Sequence, residues 1–259
     1  MTTANGSTGG WGWQDGAGFG KGQEGAAWSP ADLEGLQLWF DAQDMNGNGD
    51  NNAGWTDGAL VATWVDKAGV GNATQATDGD KPTFETDILN GHPVVRFDGS
   101  TWLELGNKFS IDNTVTFIAV HKCNKASTGT RLTLLGQNNT AGAMWIEYGG
   151  AGGRTTCIAG QYVATCAPTD AFPLTAETLV YRRTGEGAGT HTFRIDGVVQ
   201  ALTTDANHLY SGNGNKDIGR RAAGSQMLNG DIAELLIYEG ALSDEEIALV
   251  EAYLNAKWT

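Results

Sequence analysis

Positive charge is scarce in this sequence: 16 Lys and Arg stand against 30 Asp and Glu in 259 residues, a net charge of −14. Proteins that bind nucleic acid displace counterions from phosphate with clustered cations, and here Lys and Arg are scattered singly, so no nucleic-acid partner is expected. Apolar runs are short, none near the roughly 18 residues of a membrane helix, so no membrane partner is expected either. The opening MTTANGSTGGWGWQDG has neither a basic n-region nor an apolar h-region. It reads as no secretory signal, which suggests the cytosol or export by another route. Prolines number only 5, and although glycines number 38 they follow no G-x-y period. A collagen-like chain is excluded. Of the three cysteines, Cys157 and Cys166 could face each other across a hairpin in TTCIAGQYVATC, leaving Cys123; without export the reduced form is favoured. No C-x-x-C or Cys/His cluster exists to hold zinc.

What is present builds a core. The chain is 40% apolar with nine Trp, and at this length an all-β sandwich can be one domain. Residues 1–28 stand apart, with nine Gly and with Trp11, Trp13, Phe19 and Trp28 interleaved at no regular period. Ordering such a segment costs roughly 1–2 kcal/mol per residue, which only contacts by those aromatics can offset. The reading is an N-terminal arm that docks through these four residues on a neighbouring protein subunit. Residues 29–259 then form the folded domain. Ser29 caps a short helical turn opened by Pro30. Strand patterns follow at 36–40, 60–65, 93–97, 114–121, 131–135, 143–148, 178–183, 191–195, 198–202 and 231–238. Asn90-Gly91, Asp98-Gly99, Asp196-Gly197 and Asn229-Gly230 read as turns. Many short strands without long helices between them predict an all-β fold of two antiparallel sheets. A helix closes the chain, with Ser243 and Glu246 as a capping box and Ile247, Val250, Tyr253 and Leu254 at helical spacing.

Three segments in order, LEGLQLWFDAQD (33–44), ATWVDKAGVGNATQA with KPTFETDILNGHPVVRFDGSTWLEL (62–105), and GDIAELLIYEGALSDEEIALVEAYL (230–254), carry a resemblance. They resemble laminin-G-like, concanavalin-A-like jelly-roll domains of bacterial surface proteins and of phage structural and tail proteins. The resemblance spans residues 33–258 and implies a two-sheet jelly roll with a short C-terminal helix. It leaves function open, because this sandwich carries sugar-binding modules, glycanases, lyases and scaffold domains alike.

Chemistry-bearing residues narrow the choice. Retaining glycosidases need two carboxylates about 5–5.5 Å apart, and the E-x-D-x-x-E strand of glycanases of this fold is absent. Glu234 and Glu147 each lack a second carboxylate on their own strand face, and the strand motifs of alginate-type lyases are missing too. The four His are isolated, and GGAGGR (149–154) has no phosphate-cradle setting. No enzyme is expected. The strongest local signal is Asp44-Met45-Asn46-Gly47-Asn48-Gly49-Asp50, which fits D-x-[DN]-x-[DN]-G. Asp44, Asn46, Asn48 and Asp50 are candidate calcium ligands, with Asp41 or Asp57 as further ones. The twelfth position is Trp55, not Glu, and an Asn/Gly/Asp turn explains the same residues. Trp55 and Trp102 beside polar loops are candidate sugar-stacking faces. The expected function is a non-enzymatic structural component of a large assembly, most plausibly a phage virion protein (capsid decoration, head fibre or tail) assembled in the host cytoplasm as an oligomer. The alternative is a carbohydrate- or receptor-binding module on a virion or cell surface, and a polysaccharide-active enzyme comes third.

Overall fold

The computed structural model describes residues 28–259 apart from 108, 110–113, 125–131, 139–143, 149–153, 159–160, 167–174, 187–188, 206–213 and 222–225. Trp11, Trp13 and Phe19 lie outside the described residues. In chain order the first strands are β1 (Leu36–Asp41), β2 (Ala59–Leu60), β3 (Thr63–Trp64), β4 (Ala73–Thr74), β5 (Thr83–Leu89) and β6 (His92–Asp98). Then come β7 (Leu103–Gly106), β8 (Thr114–Cys123), β9 (Leu132–Asn138), β10 (Met144–Tyr148), β11 (Arg154–Ile158) and β12 (Gln161–Cys166). The last are β13 (Glu177–Thr184), β14 (His191–Ile195), β15 (Val198–Val199), β16 (Leu202–Asp205), β17 (Asn215–Ile218) and β18 (Asn229–Glu239), followed by the helix α1 (Asp244–Trp258).

Two antiparallel sheets result. The first runs β15-β14-β13-β8-β18-β6-β5-β2, with β1 also paired to β18; the second runs β16-β12-β11-β10-β9-β17-β7-β4-β3. β18 is the central strand: β8 flanks it along one edge, while β6 (at residues 229–232) and β1 (at residues 234–238) share the other. Side chains alternate between sheet faces. Leu38, Ile237, Phe117, Tyr181 and Phe193 oppose one another across β1, β18, β8, β13 and β14 as one transverse row, all essentially without solvent contact. The neighbouring row, Trp39, Leu236, Ile118 and Val180, faces the other way and is buried as well, because α1 covers that face. Helix and sheet are tied by Arg194 to Glu251 and Arg182 to Asp244, both at 2.7 Å.

The helix starts where its sequence dictates. Ser243 accepts from the Glu246 N–H (3.2 Å) and Glu246 accepts from the Ser243 N–H (2.7 Å), and Ile247, Val250 and Leu254 are buried. Burial of such side chains contributes roughly 1.5–3 kcal/mol each. The Asp196-Gly197 hairpin forms with φ of 48° and 79°, and Asn90-Gly91 turns β5 into β6 with φ of 49° and 80°.

Three expectations are corrected. The apolar run 60–65 is no single strand: β2 pairs with β5 in the first sheet and β3 with β4 in the second, so the chain crosses between sheets at Val61 and Ala62. The run 198–202 divides in the same way, β15 in one sheet and β16 in the other. Asn229-Gly230 is not a turn but the start of β18, where a Cβ on Gly230 would sit 2.4 Å from the Lys122 carbonyl oxygen. Glycine is needed there for close strand approach. The possible disulfide across the β11–β12 hairpin fails on register, since Cys157 opposes Tyr162 and Cys166 opposes Arg154. The two cysteines stand at opposite ends of that pairing, beyond the Cα separation a disulfide spans.

Candidate functional site

Residues 42–58, between β1 and β2, form a loop closed by its own polar groups. Asp44 Oδ1 accepts from the N–H groups of Asn48 and Gly49, each at 3.0 Å, and Oδ2 lies 3.0 Å from Lys67 Nζ. Burial acts to raise the Asp44 pKa, but the Lys67 ammonium and the two N–H groups outweigh it and hold the carboxyl below its usual range. Asn52, with φ of 65°, accepts from the Met45 N–H (2.6 Å) and donates to the Ala42 carbonyl (2.7 Å), pinning both limbs of the loop. Asn46 Oδ1 accepts from Trp55 Nε1 at 2.9 Å.

The four expected calcium ligands are thereby engaged with donors of the protein itself. Asn48 Oδ1 accepts from the Asp50 N–H (3.0 Å), and the Asp50 carboxylate accepts from the amides of Asn46 and Asn48, each at 3.1 Å. Asp41 pairs with Lys67 at 3.0 Å, and Asp57 bonds Thr86. Among the described residues no group of three or more His, Cys, Asp or Glu is gathered to hold a metal ion.

Trp55, half-buried, is held in one orientation by Asn46 and by Phe84, whose ring centroid is 5.4 Å away at 51°. Facing it is the β5–β6 hairpin. Asp57 Oδ1 accepts from both the N–H (2.8 Å) and the hydroxyl (2.9 Å) of Thr86, stapling hairpin to loop; these bonds hold the Asp57 carboxyl below its usual range. Gln43 donates from its amide to His92 Nδ1, and the His92 ring meets Trp258 edge-on at 5.6 Å. Asn90 donates to the Trp258 carbonyl, so the end of α1 buttresses the hairpin.

Between these walls lies a cleft of about 440 Å³, within the range of small-ligand sites. Asn51, Asn52 and Trp55 form one wall, Thr86, Asp87 and His92 the other, and Phe84 and Gln43 also border it. Five non-glycine residues have left-handed backbone among the described residues, and three of them, Asn51 (52°), Asn52 (65°) and Asp87 (55°), line this cleft. Held conformations of this kind gather at functional sites, and short polar side chains tolerate them best. The Asn51 amide and the Asp87 carboxylate have no hydrogen-bond partner among the described residues.

The other expected residues lie elsewhere. Trp102, between β6 and β7, stacks under the Arg220 guanidinium at 3.9 Å and does not border the cleft. Trp28 packs edge-on against Tyr253 of its own helix, ring centroids 6.0 Å apart. Trp55 is therefore the sugar-stacking candidate that the fold places in a cleft. Gln43, Asn51, Thr86, Asp87 and His92 were not read from the sequence; the available signal was conformational, the clustering of Asn and Asp that accept positive φ.

A carboxylate pair also exists that no single strand reveals. Asp41 of β1 opposes Glu234 of β18. Lys257 Nζ reaches both, at 2.7 and 2.8 Å, and the indole N–H groups of Trp39 (2.6 Å) and Trp258 (2.7 Å) donate to Glu234. Both acids are buried beneath α1. They anchor the helix and face no opening.

A family model described as the concanavalin A-like lectin/glucanases superfamily matches residues 97–248. The chain belongs to this superfamily. Solved structures with a similar fold match at low identity. Domain 4 of AbnA, a GH43 extracellular arabinanase from Geobacillus stearothermophilus, in complex with arabinotriose, is 16% identical with a TM-score of 0.55, covering 84% of this chain and 98% of that one. A sialidase of Trypanosoma rangeli in complex with sialic acid is 13% identical with a TM-score of 0.56, covering 86% of this chain and 33% of that one. An arabinofuranosidase complexed with arabinofuranosyl-alpha-1,2-xylobiose is 17% identical with a TM-score of 0.58, covering 77% and 51%. This chain thus spans about one third of the sialidase and about half of the arabinofuranosidase. No curated protein matches the sequence. Within the superfamily match the cleft is not included: its residues, 43–93, precede position 97.

Proposed function

We propose that this domain is a non-catalytic carbohydrate-binding module whose saccharide lies in the cleft against Trp55. The observation that carries the reading is one aromatic face, fixed by Asn46 and Phe84, in the same cleft as an amide and a carboxylate with hydrogen-bonding capacity to spare. A sugar ring offers an apolar C–H face to stack and hydroxyls to exchange hydrogen bonds, so it complements both parts. The solved relatives support the reading, since the arabinanase domain is in complex with arabinotriose. The absence of catalysis is argued from the carboxylates. The opposed pair, Asp41 and Glu234, is covered by α1, and among the described residues lining the cleft Asp87 is the one carboxylate. Glycoside hydrolysis ordinarily uses two.

Titration of the protein with glycans scored on an array tests this. Trp55→Ala is expected to weaken the best ligand about tenfold, the loss of one stacking contact, with an unchanged circular dichroism spectrum, while Trp102→Ala leaves affinity alone. An array with no binding, or equal binding by Trp55→Ala, sinks the reading.

Attachment to a larger assembly, such as a phage particle, through residues 1–27 is a second reading. Trp28 packs on Tyr253 of this chain, so such docking would fall to Trp11, Trp13 and Phe19.

A further inference from the structure

On the reading of the cleft as a saccharide site, we infer that it takes uncharged sugars and turns away sugar acids, with Asp87 as the discriminating residue. Asp87 is exposed on the hairpin wall, and its backbone is fixed: Thr86 beside it is held by Asp57 through both N–H and hydroxyl, and Asp87 itself adopts φ of 55°. Its Cα is thereby held at the rim of the cleft. As an acceptor-only group it can take two hydroxyl donors of one sugar at once. The same group repels a carboxylate on the ligand. Nothing in the lining offsets that repulsion, because no Lys or Arg borders the cleft among the described residues, and its other polar side chains are the amides of Gln43, Asn51 and Asn52, the Thr86 hydroxyl and the His92 ring. Behind Thr86 stands Asp57, whose charge Arg96 partly offsets while itself pairing with Asp231 and Glu85, and the nearby Lys67 is neutralised by Asp41 and Asp44. Arabinotriose and sialic acid, found with two of the solved relatives, fall on opposite sides of this distinction.

The test uses the full chain and ligands differing only in charge: oligomers of galactose, glucose and mannose, the corresponding uronates, and the methyl esters of those uronates. Calorimetry is expected to show binding to at least one neutral series, uronate affinity at least tenfold lower, and recovery on esterification. Asp87→Asn, which keeps a side chain tolerant of left-handed backbone, is expected to narrow the gap by about three- to tenfold, the effect of one charge at close range in a solvated site. A uronate bound as tightly as its neutral counterpart overturns this inference and leaves the saccharide reading standing. Failure of all these oligomers and of a broad glycan array to bind overturns both.

Discussion

Lys216 carries a charge into the interior of the second sheet. Its side chain is fully buried; Nζ donates to the carbonyls of Phe109 (2.7 Å) and Gly214 (3.2 Å) and lies 4.6 Å over the Phe109 ring. Burial lowers its pKa from 10.5 to about 8. Between those values the unfolded chain holds a proton that the folded chain has released, so stability rises with pH across that window, while below pH 8 both states are charged and the full burial penalty persists. Lys216→Met removes this titration. Measured by urea unfolding at pH 7, 9 and 10.5, the native protein should gain about 3 kcal/mol relative to that variant as pH rises from 8 to 10.5. Parallel profiles for the two would show that Lys216 keeps its ordinary proton affinity. The acids that matter to the cleft behave differently: the Lys67 ammonium and backbone N–H groups hold the Asp44 carboxyl, and Thr86 the Asp57 carboxyl, below the usual carboxylate range.

Among the elements, α1 is held by charge as well as by apolar contact. Lys257→Met leaves Asp41 and Glu234 buried and opposed without the ammonium between them, a change that costs about 3–5 kcal/mol when a buried pair is broken. Burial, then the nearby Asp41, pushes the Glu234 pKa up, against Lys257 and the Trp258 N–H. For a carboxyl raised in the folded state, the unfolded chain ionises first, and stability falls as pH rises above about 4.5 toward the folded value. The deficit of Lys257→Met should therefore be largest at neutral pH and shrink toward pH 4.5, read from thermal melts; a constant deficit would show that Glu234 stays ionised throughout. Local signals made α1 and the β14–β15 hairpin legible in the sequence, because a capping box and an Asp-Gly turn act over three or four residues. The Asp41–Glu234 pair was not legible, since the partners are brought together only by strand pairing between opposite ends of the chain. Nor was most of the cleft: TFETDIL, which forms β5, is not among the strand patterns of the sequence, and nothing local announces that Asp87 will be left-handed or that Asp57 will staple it to the Trp55 loop. The two sheet crossings were hidden for a related reason, as an apolar run records burial without recording in which sheet.

Over the whole molecule, the cleft proposed to bind sugar lies outside the stretch matched by the family model, 97–248, yet one of its walls is built from β5 and β6 of the first sheet. Removal of residues 2–27 should leave melting temperature and glycan affinity unchanged while abolishing attachment to any assembly partner; further loss of Trp28 should destabilise by about 0.5–1.5 kcal/mol, the value of one edge-on aromatic pair. Incorporation of the shortened chain into particles at the normal level would refute the assembly reading. The placement of β1 also has a mechanical meaning. Its first residue, Leu36, lies opposite Tyr238, whereas Lys257 and Trp258 near the other chain end contact Asp41 and Glu234 at the far end of that pairing, so tension between the two chain ends loads the contacts of α1 before the β1–β18 ladder. Tension applied between the arm and the cleft follows β1 along its covalent backbone into the loop after Asp41 and strips no strand. On the proposed readings, a body tethered by its arm and pulled by its ligand is loaded along β1 rather than across its hydrogen bonds.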